Sequence, residues 1–132
     1  MQKCDGVLVV IDGGAVVFTR IWCGFEQATV VQGKKLLLDF ATVSTGAAEV
    51  LTDGRAHKHE APATKAARER GFPLELMEKG YTLDITVAEA SEPKDKRRIL
   101  NSIAGTRRCC GGFDAKPDLA HPEFARVNAK LR

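Results

Sequence analysis

Three side chains near the start of the chain are placed for chemistry: the carboxylates of Asp12 and Glu26 and the indole of Trp22, the only tryptophan. Trp22 and Glu26 lie in the stretch Phe18-Thr19-Arg20-Ile21-Trp22-Cys23-Gly24-Phe25-Glu26-Gln27. On a helix at about 100° per residue, Phe18, Ile21, Trp22, Phe25 and Thr29 share one stripe. Glu26 falls on the flank of that stripe, where a carboxylate can overhang the end of a sheet. Cys23 and Gln27 turn largely away from it. The plain alternative for Glu26 is an exposed helix carboxylate paired with a nearby cation. Trp22 either stacks on a nucleobase or anchors the helix to a sheet, burying on the order of 200 Å²; anchoring is the expectation. Asp12 ends an apolar run, at the edge where ligands of open α/β sheets collect.

Other reactive residue types carry less. No base is placed near Cys23 to activate it. His57 and His59 form a His-x-His pair, but two cations flank it and no third ligand is near, so a solvated loop is expected and no metal site. Gly13-Gly14 lacks the further glycines or Gly-Lys-Ser/Thr of a phosphate cradle and reads as a turn. Lys94, Lys96, Arg97, Arg98, Arg107 and Arg108 face only Asp95. Such a run can bind phosphates without regard to sequence, with Arg97 and Arg98 as the first interaction candidates. No aromatic is interleaved, which disfavours a nucleic-acid platform and leaves a solvated helix face. Cys109-Cys110 beside it is read as loop.

The elements that must position these groups are legible as runs and punctuation. Gly6-Val7-Leu8-Val9-Val10-Ile11 is β-branched without alternation, the pattern of a strand covered on both faces. Lys35 to Val43 repeats it, with the tryptophan-bearing helix between, closed by Gly33. Strand, helix and strand make a βαβ unit, parallel and right-handed in its crossover. Residues 44–61 read as polar and irregular. Pro62 opens a helix to Arg70, and Pro73 to Lys79 is a short helix capped by Gly80. Thr82 to Val87 alternates and reads as a third strand near a sheet edge. Ser91 is expected to cap a helix from Lys94 to Ala104, with Ile99, Leu100 and Ile103 buried and Gly105 as its stop. Residues 106–120 read as loop, and Pro122 to Leu131 as a closing helix with Phe124, Val127 and Leu131 on one side.

The chain has 132 residues and a formal net charge of +3, with 44% hydrophobic and 28% charged residues. That suits one soluble domain and argues against disorder. Cys4, Cys23, Cys109 and Cys110 show no disulfide-scaffold spacing, so reduced thiols and a cytoplasmic location are expected. No apolar run approaches the roughly 20 residues that span a bilayer. The first strand begins within about six residues of Met1, earlier than α/β domains usually place it. That makes the chain read as the later part of a longer domain.

The run Arg20-Ile21-Trp22-Cys23-Gly24-Phe25-Glu26 resembles the Trp-Cys-x-x-Glu stretch of Toll/interleukin-1 receptor (TIR) domains. Asp95 to Gly105, with Ile99, Ile103, Ala104 and Gly105, and the closing Val127-Asn128-Ala129-Lys130-Leu131-Arg132 resemble a divergent TIR-like branch of unicellular eukaryotes. The resemblance covers most of residues 7–132. It implies an α/β, flavodoxin-like parallel sheet with flanking helices, incomplete at about three strands. Residues 1–105 would be a partial TIR-like domain, and 106–132 a loop and helix packed on it.

In TIR domains that cleave NAD the motif glutamate is catalytic, which the resemblance maps onto Glu26, with Asp12 and Trp22 as candidate NAD contacts. There a carboxylate binds ribose hydroxyls or stabilises the oxocarbenium-like charge as nicotinamide leaves. The first two strands of such domains have no counterpart here, so the isolated chain is expected to be inactive, with NAD at most a substrate and no bound cofactor. The leading expectation is a signalling or interaction module. A small sheet with two apolar strands leaves a face and an edge that a second copy or a protein partner must cover.

Overall fold

The computed structural model describes residues 4–33, 36–43, 46–51, 59–105 and 112–132. The β-branched run forms β1 (Gly6–Ile11), paired in parallel with β2 (Leu37–Val43), Gly6 opposite Leu37 and Ile11 opposite Thr42. Helix α1 (Ile21–Gln32) makes the crossover. The fold is therefore α/β, a three-stranded mixed sheet flanked by helices, with the βαβ start of a flavodoxin-like sheet.

The third strand is not where the alternation puts it. β3 (Ala48–Leu51) lies in the stretch read as irregular and pairs antiparallel with β2, Leu51 opposite Phe40 and Val50 opposite Ala41. Four residues among polar neighbours are too few for a period of two to show. Thr82 to Val87 forms no strand, because its backbone donors are already used. Ile85 N–H donates to Asn128 Oδ1 at 2.9 Å, Thr86 N–H to Asp84 Oδ1 at 2.9 Å, and Val87 and Ala88 to the Asp84 carbonyl. Leu83 and Ile85 are buried all the same, Val87 is exposed, and one parallel bridge, Arg20 to Glu89, is what remains of strand pairing.

Helices α2 (Pro62–Arg70), α4 (Pro93–Ile103) and α5 (Pro122–Leu131) each open on a proline, where a missing N–H costs nothing. α3 (Leu74–Tyr81) includes Gly80 rather than ending on it. Ser91 does not cap α4; Glu92 occupies that place, and the Ser91 hydroxyl accepts from Arg20 Nη2 at 2.9 Å. Gly105 follows α4 with φ 68, a left-handed conformation in which an L side chain is strained.

The core has two parts. Val9, Ile11, Ala15, Phe72 and Leu76 fill the space between the sheet and α3. Ile21, Ile85, Leu100, Phe124 and Val127 join α1 to α4, α5 and the segment before α4. Among the described residues the core packs on one face of the sheet. Leu8, Val10 and Val43 are 58%, 69% and 66% exposed on the other, so the unbroken apolar runs do not mark strands covered on both sides.

The apolar stripe on α1 is also rotated from its expected position. The helix starts at Ile21, after a 3₁₀ turn over Val16–Phe18, and buries Ile21, Gly24, Gln27 and Ala28. Trp22 is 48% exposed and does not anchor the helix to the sheet, whereas Gln27 is 3% exposed. Small residues decide the orientation. A Cβ on Gly24 would lie 2.8 Å from Ile85 Cδ1, so the segment before α4 closes onto the helix where there is no side chain.

Candidate functional site

The half-exposed indole of Trp22 borders a cleft of about 730 Å³ between α1, α4 and a short 3₁₀ turn at Gly112–Asp114. Phe25 and Phe113 supply its apolar walls and Arg98 and Asp114 its charges. The Trp22 and Phe25 rings meet edge-on, centroids 6.4 Å apart and planes at 80°, a favourable aromatic arrangement. Two residues singled out from the sequence for different reasons, Trp22 and Arg98, are thereby brought together.

The far wall is held by α4. Asn101, 3% exposed, donates through Nδ2 to the carbonyls of Phe113 and Ala115, both at 2.9 Å. Arg98 Nε reaches Asp114 Oδ1 at 2.7 Å. That hydrogen bond, aided by the charges of Arg98, Lys94 and Arg97, holds the Asp114 carboxyl below its ordinary range. The same bond raises the Arg98 guanidinium. Arg98 thus pairs with an acid from outside the basic run, and the charges of Lys94 and Arg97 act on the same carboxylate. Arg97 lies off the cleft, half-buried on α4. Arg107, Arg108, Cys109 and Cys110 lie outside the described residues, as do Lys34, Lys35 and His57.

Glu26 is exposed one turn beyond Trp22 and lines neither this cleft nor the two smaller ones described below. Asp12 follows β1 at its carboxyl end, as expected, but its carboxylate is occupied: Oδ1 accepts from the Val16 N–H at 3.0 Å and so fastens the 3₁₀ turn. Three residues on, Ala15 is buried at φ 55, and the loop it bends lines a second cleft of about 450 Å³ with Lys79, Asp84 and Glu89. Lys79 Nζ donates there to the Gly13 and Gly14 carbonyls at 3.2 and 3.4 Å. Asp12, Trp22 and Glu26 do not converge on one cleft.

Burial, and then the negative charge of Glu26, push the Cys23 thiol up, against a smaller lowering by Arg20. A thiol so placed is a poor nucleophile near neutral pH. His59 is exposed at φ 69, and among the described residues no three His, Cys, Asp or Glu side chains gather as a metal would require. No helix among those residues is long and apolar enough to cross a membrane.

Two features had no local signal in the sequence. Phe113 and Asp114 join the cleft only through contacts to α4, 12 to 16 positions away. A third cleft, about 140 Å³, lies under the sheet around Gln27, a residue expected to face away. Compared with known proteins, the chain matches no family model, no curated protein and no solved structure.

Proposed function

We propose that the chain is a TIR-like interaction module whose open sheet face is covered by another polypeptide, a second copy of itself first of all. The observation that carries this reading is the apolar row across that face. Leu8 and Val10 on β1 and Val43 on β2 each stand more than half exposed, on the side opposite the covered Val9, Ile11 and Phe40. The two sheet edges differ as well. On the β3 side, α2 lies close and Arg68 donates to the Val50 carbonyl, which blunts that edge. Among the described residues no strand or helix guards β1 in this way, and an unguarded edge beside an apolar face favours association.

The experiment is mass against concentration by light scattering, for the wild-type chain and for Leu8→Lys/Val10→Lys. Side chains this exposed tolerate charge without unfolding the protein. Mass is expected to rise with concentration in the wild type and to stay at one chain in the variant. A monomer at all concentrations in both removes self-association.

A second reading, cleavage of NAD with Glu26 as the acting carboxylate, rests on the resemblance of the Trp22-Cys23-Gly24-Phe25-Glu26 stretch; the cleft beside it offers Trp22 and Arg98 to a nucleotide but does not include Glu26. Its test is NAD consumption by the purified chain, abolished by Glu26→Gln.

A further inference from the structure

Gln27 places an amide among apolar neighbours. It is 3% exposed on the sheet-facing side of α1, and among the described residues its Nε2 has no hydrogen-bond partner. A buried amide nitrogen left unsatisfied costs free energy that an apolar side chain of the same shape does not. Gln27 also borders the 140 Å³ cleft between the sheet, α1 and α3, whose other walls include Phe18, Phe40, Phe72, Leu76 and Met77. The amide is thus unsatisfied beside an apolar chamber, where a ligand atom could supply the missing partner.

The dimensions and walls narrow the occupant. A cavity of about 150 Å³ with aliphatic and aromatic walls admits a molecule the size of benzene. A water molecule there needs two to four polar partners to be held well. Among the described residues Gln27 is the one polar side chain on the inner wall; Tyr81 and Arg132 stand at the rim, both exposed, with Arg132 Nε already donating to the Leu83 carbonyl at 3.1 Å. We propose that this cleft is a binding site for a small neutral aromatic molecule carrying one hydrogen-bonding oxygen, with Gln27 as its polar contact and the Phe18, Phe40 and Phe72 rings as its walls. The amide can turn about its last torsion to offer either its nitrogen or its oxygen, so a hydroxyl and a carbonyl both fit the class. The site is independent of the open sheet face and of Glu26.

Phenol and toluene are the probes, matched in shape and differing in the oxygen. Binding is followed by the methyl resonance of Met77 in the wild type and in Gln27→Met, an unbranched apolar replacement of similar length. Phenol is expected to shift and saturate the Met77 signal in the wild type and to bind roughly five- to tenfold more weakly in the variant, the worth of about one hydrogen bond. Toluene is expected to bind the variant as well as the wild type or better. Without any probe, Gln27→Met is expected to melt at a higher temperature, since it removes an unsatisfied group; this reading remains even if the variant's binding is slight. A lower melting temperature would mean that the amide has a structural partner, and would overturn the proposal. So would phenol binding indifferent to the substitution, or an ordered water at the Gln27 amide with no response of Met77 to phenol.

Discussion

Asn128 Oδ1 accepts the backbone N–H of Ile85 at 2.9 Å, joining α5 to a segment 43 positions earlier in the chain. Asn128 Nδ2 donates in turn to Asp84 Oδ1 at 2.9 Å; Asn128 is 8% exposed and Asp84 half-buried. The Asn and Arg of the closing Val127-Asn128-Ala129-Lys130-Leu131-Arg132 thus have a physical task. They hold residues 83–86 as a turn, Asn128 through Ile85 and Asp84 and Arg132 through the Leu83 carbonyl.

Asn128→Leu keeps the volume and removes both bonds. It leaves the Ile85 N–H buried without an acceptor, a loss of about 2–3 kcal/mol by the usual cost of an unsatisfied backbone group plus a broken bond. Urea denaturation is expected to show a lower midpoint with an unchanged slope. A midpoint within error of wild type would show that another group satisfies Ile85.

Acid should act through Asp84. Burial opposes its ionisation, but the hydroxyl and amide of Thr86, the Asn128 amide and the Arg132 charge together hold its carboxyl below the ordinary value of 3.8. A carboxyl depressed in the folded state contributes stability that is complete above its unfolded pKa and is lost as pH falls through the folded one. The loss therefore begins below about pH 4 and grows on further acidification. Asp84→Asn should be less stable than wild type at pH 7, with the gap narrowing as pH falls below 4. Melting temperatures between pH 2 and 7 measure this on the order of single-unit steps.

What could be read in advance divides along physical lines. The β-branched run of Gly6 to Ile11 and its repeat to Val43 declared two strands, and Pro62 and Pro122 declared two helix starts, because these signals act within a few residues. The covering of the strands was not legible, since a run of valines looks the same whether its second face meets helices or nothing, as at Val10. The orientation of α1 was misread because Trp22 and Phe25 dominate any apolar stripe, whereas the small Gly24 and Ala28 are the residues buried, Gly24 against the Ile85 side chain. Thr82 to Val87 has the alternation of a strand, and the side chains that take up its N–H groups lie on Asp84 and in the final helix. The Trp22 cleft was half visible: Trp22 and Arg98 stood out by type, but Phe113 and Asp114 are recruited by Asn101, whose role no local pattern discloses.

The rotated helix face has a direct optical test. Trp22 is the only tryptophan and stands 48% exposed, so native fluorescence reports one half-wet indole. Acrylamide should quench it in the folded protein at a rate within about threefold of the unfolded chain, where a core tryptophan would be protected far more. Trp22→Ala should cost less than about 1.5 kcal/mol, well under the 3–5 kcal/mol of a core Trp→Ala. Strong protection from quenching would return the indole to the core and remove it from the cleft.

Gly24 sets how closely α1 and the segment before α4 approach, and a side chain there should separate them. A Cβ on Gly24 would meet Ile85 Cδ1 at 2.8 Å, and Ile85 is fully buried, with Phe124, Leu100 and Val127 in the same cluster. In an exposed helix, replacing glycine by alanine gains about 1 kcal/mol from helix propensity alone. Here the gain is opposed by overpacking, typically 1–3 kcal/mol for added methyl groups in a filled core. Gly24→Ala is therefore expected to come out near neutral, while Gly24→Val, with two more carbons and a weaker helix preference, should destabilise by about 2–3 kcal/mol. Pairing each with Ile85→Val, which removes the carbon that obstructs, distinguishes contact from a general helix effect. The double variant Gly24→Val/Ile85→Val should recover part of the loss, a non-additivity above about 0.5 kcal/mol in a double-mutant cycle. Strict additivity would mean that the two residues do not touch, and that something other than the missing side chain orients the helix.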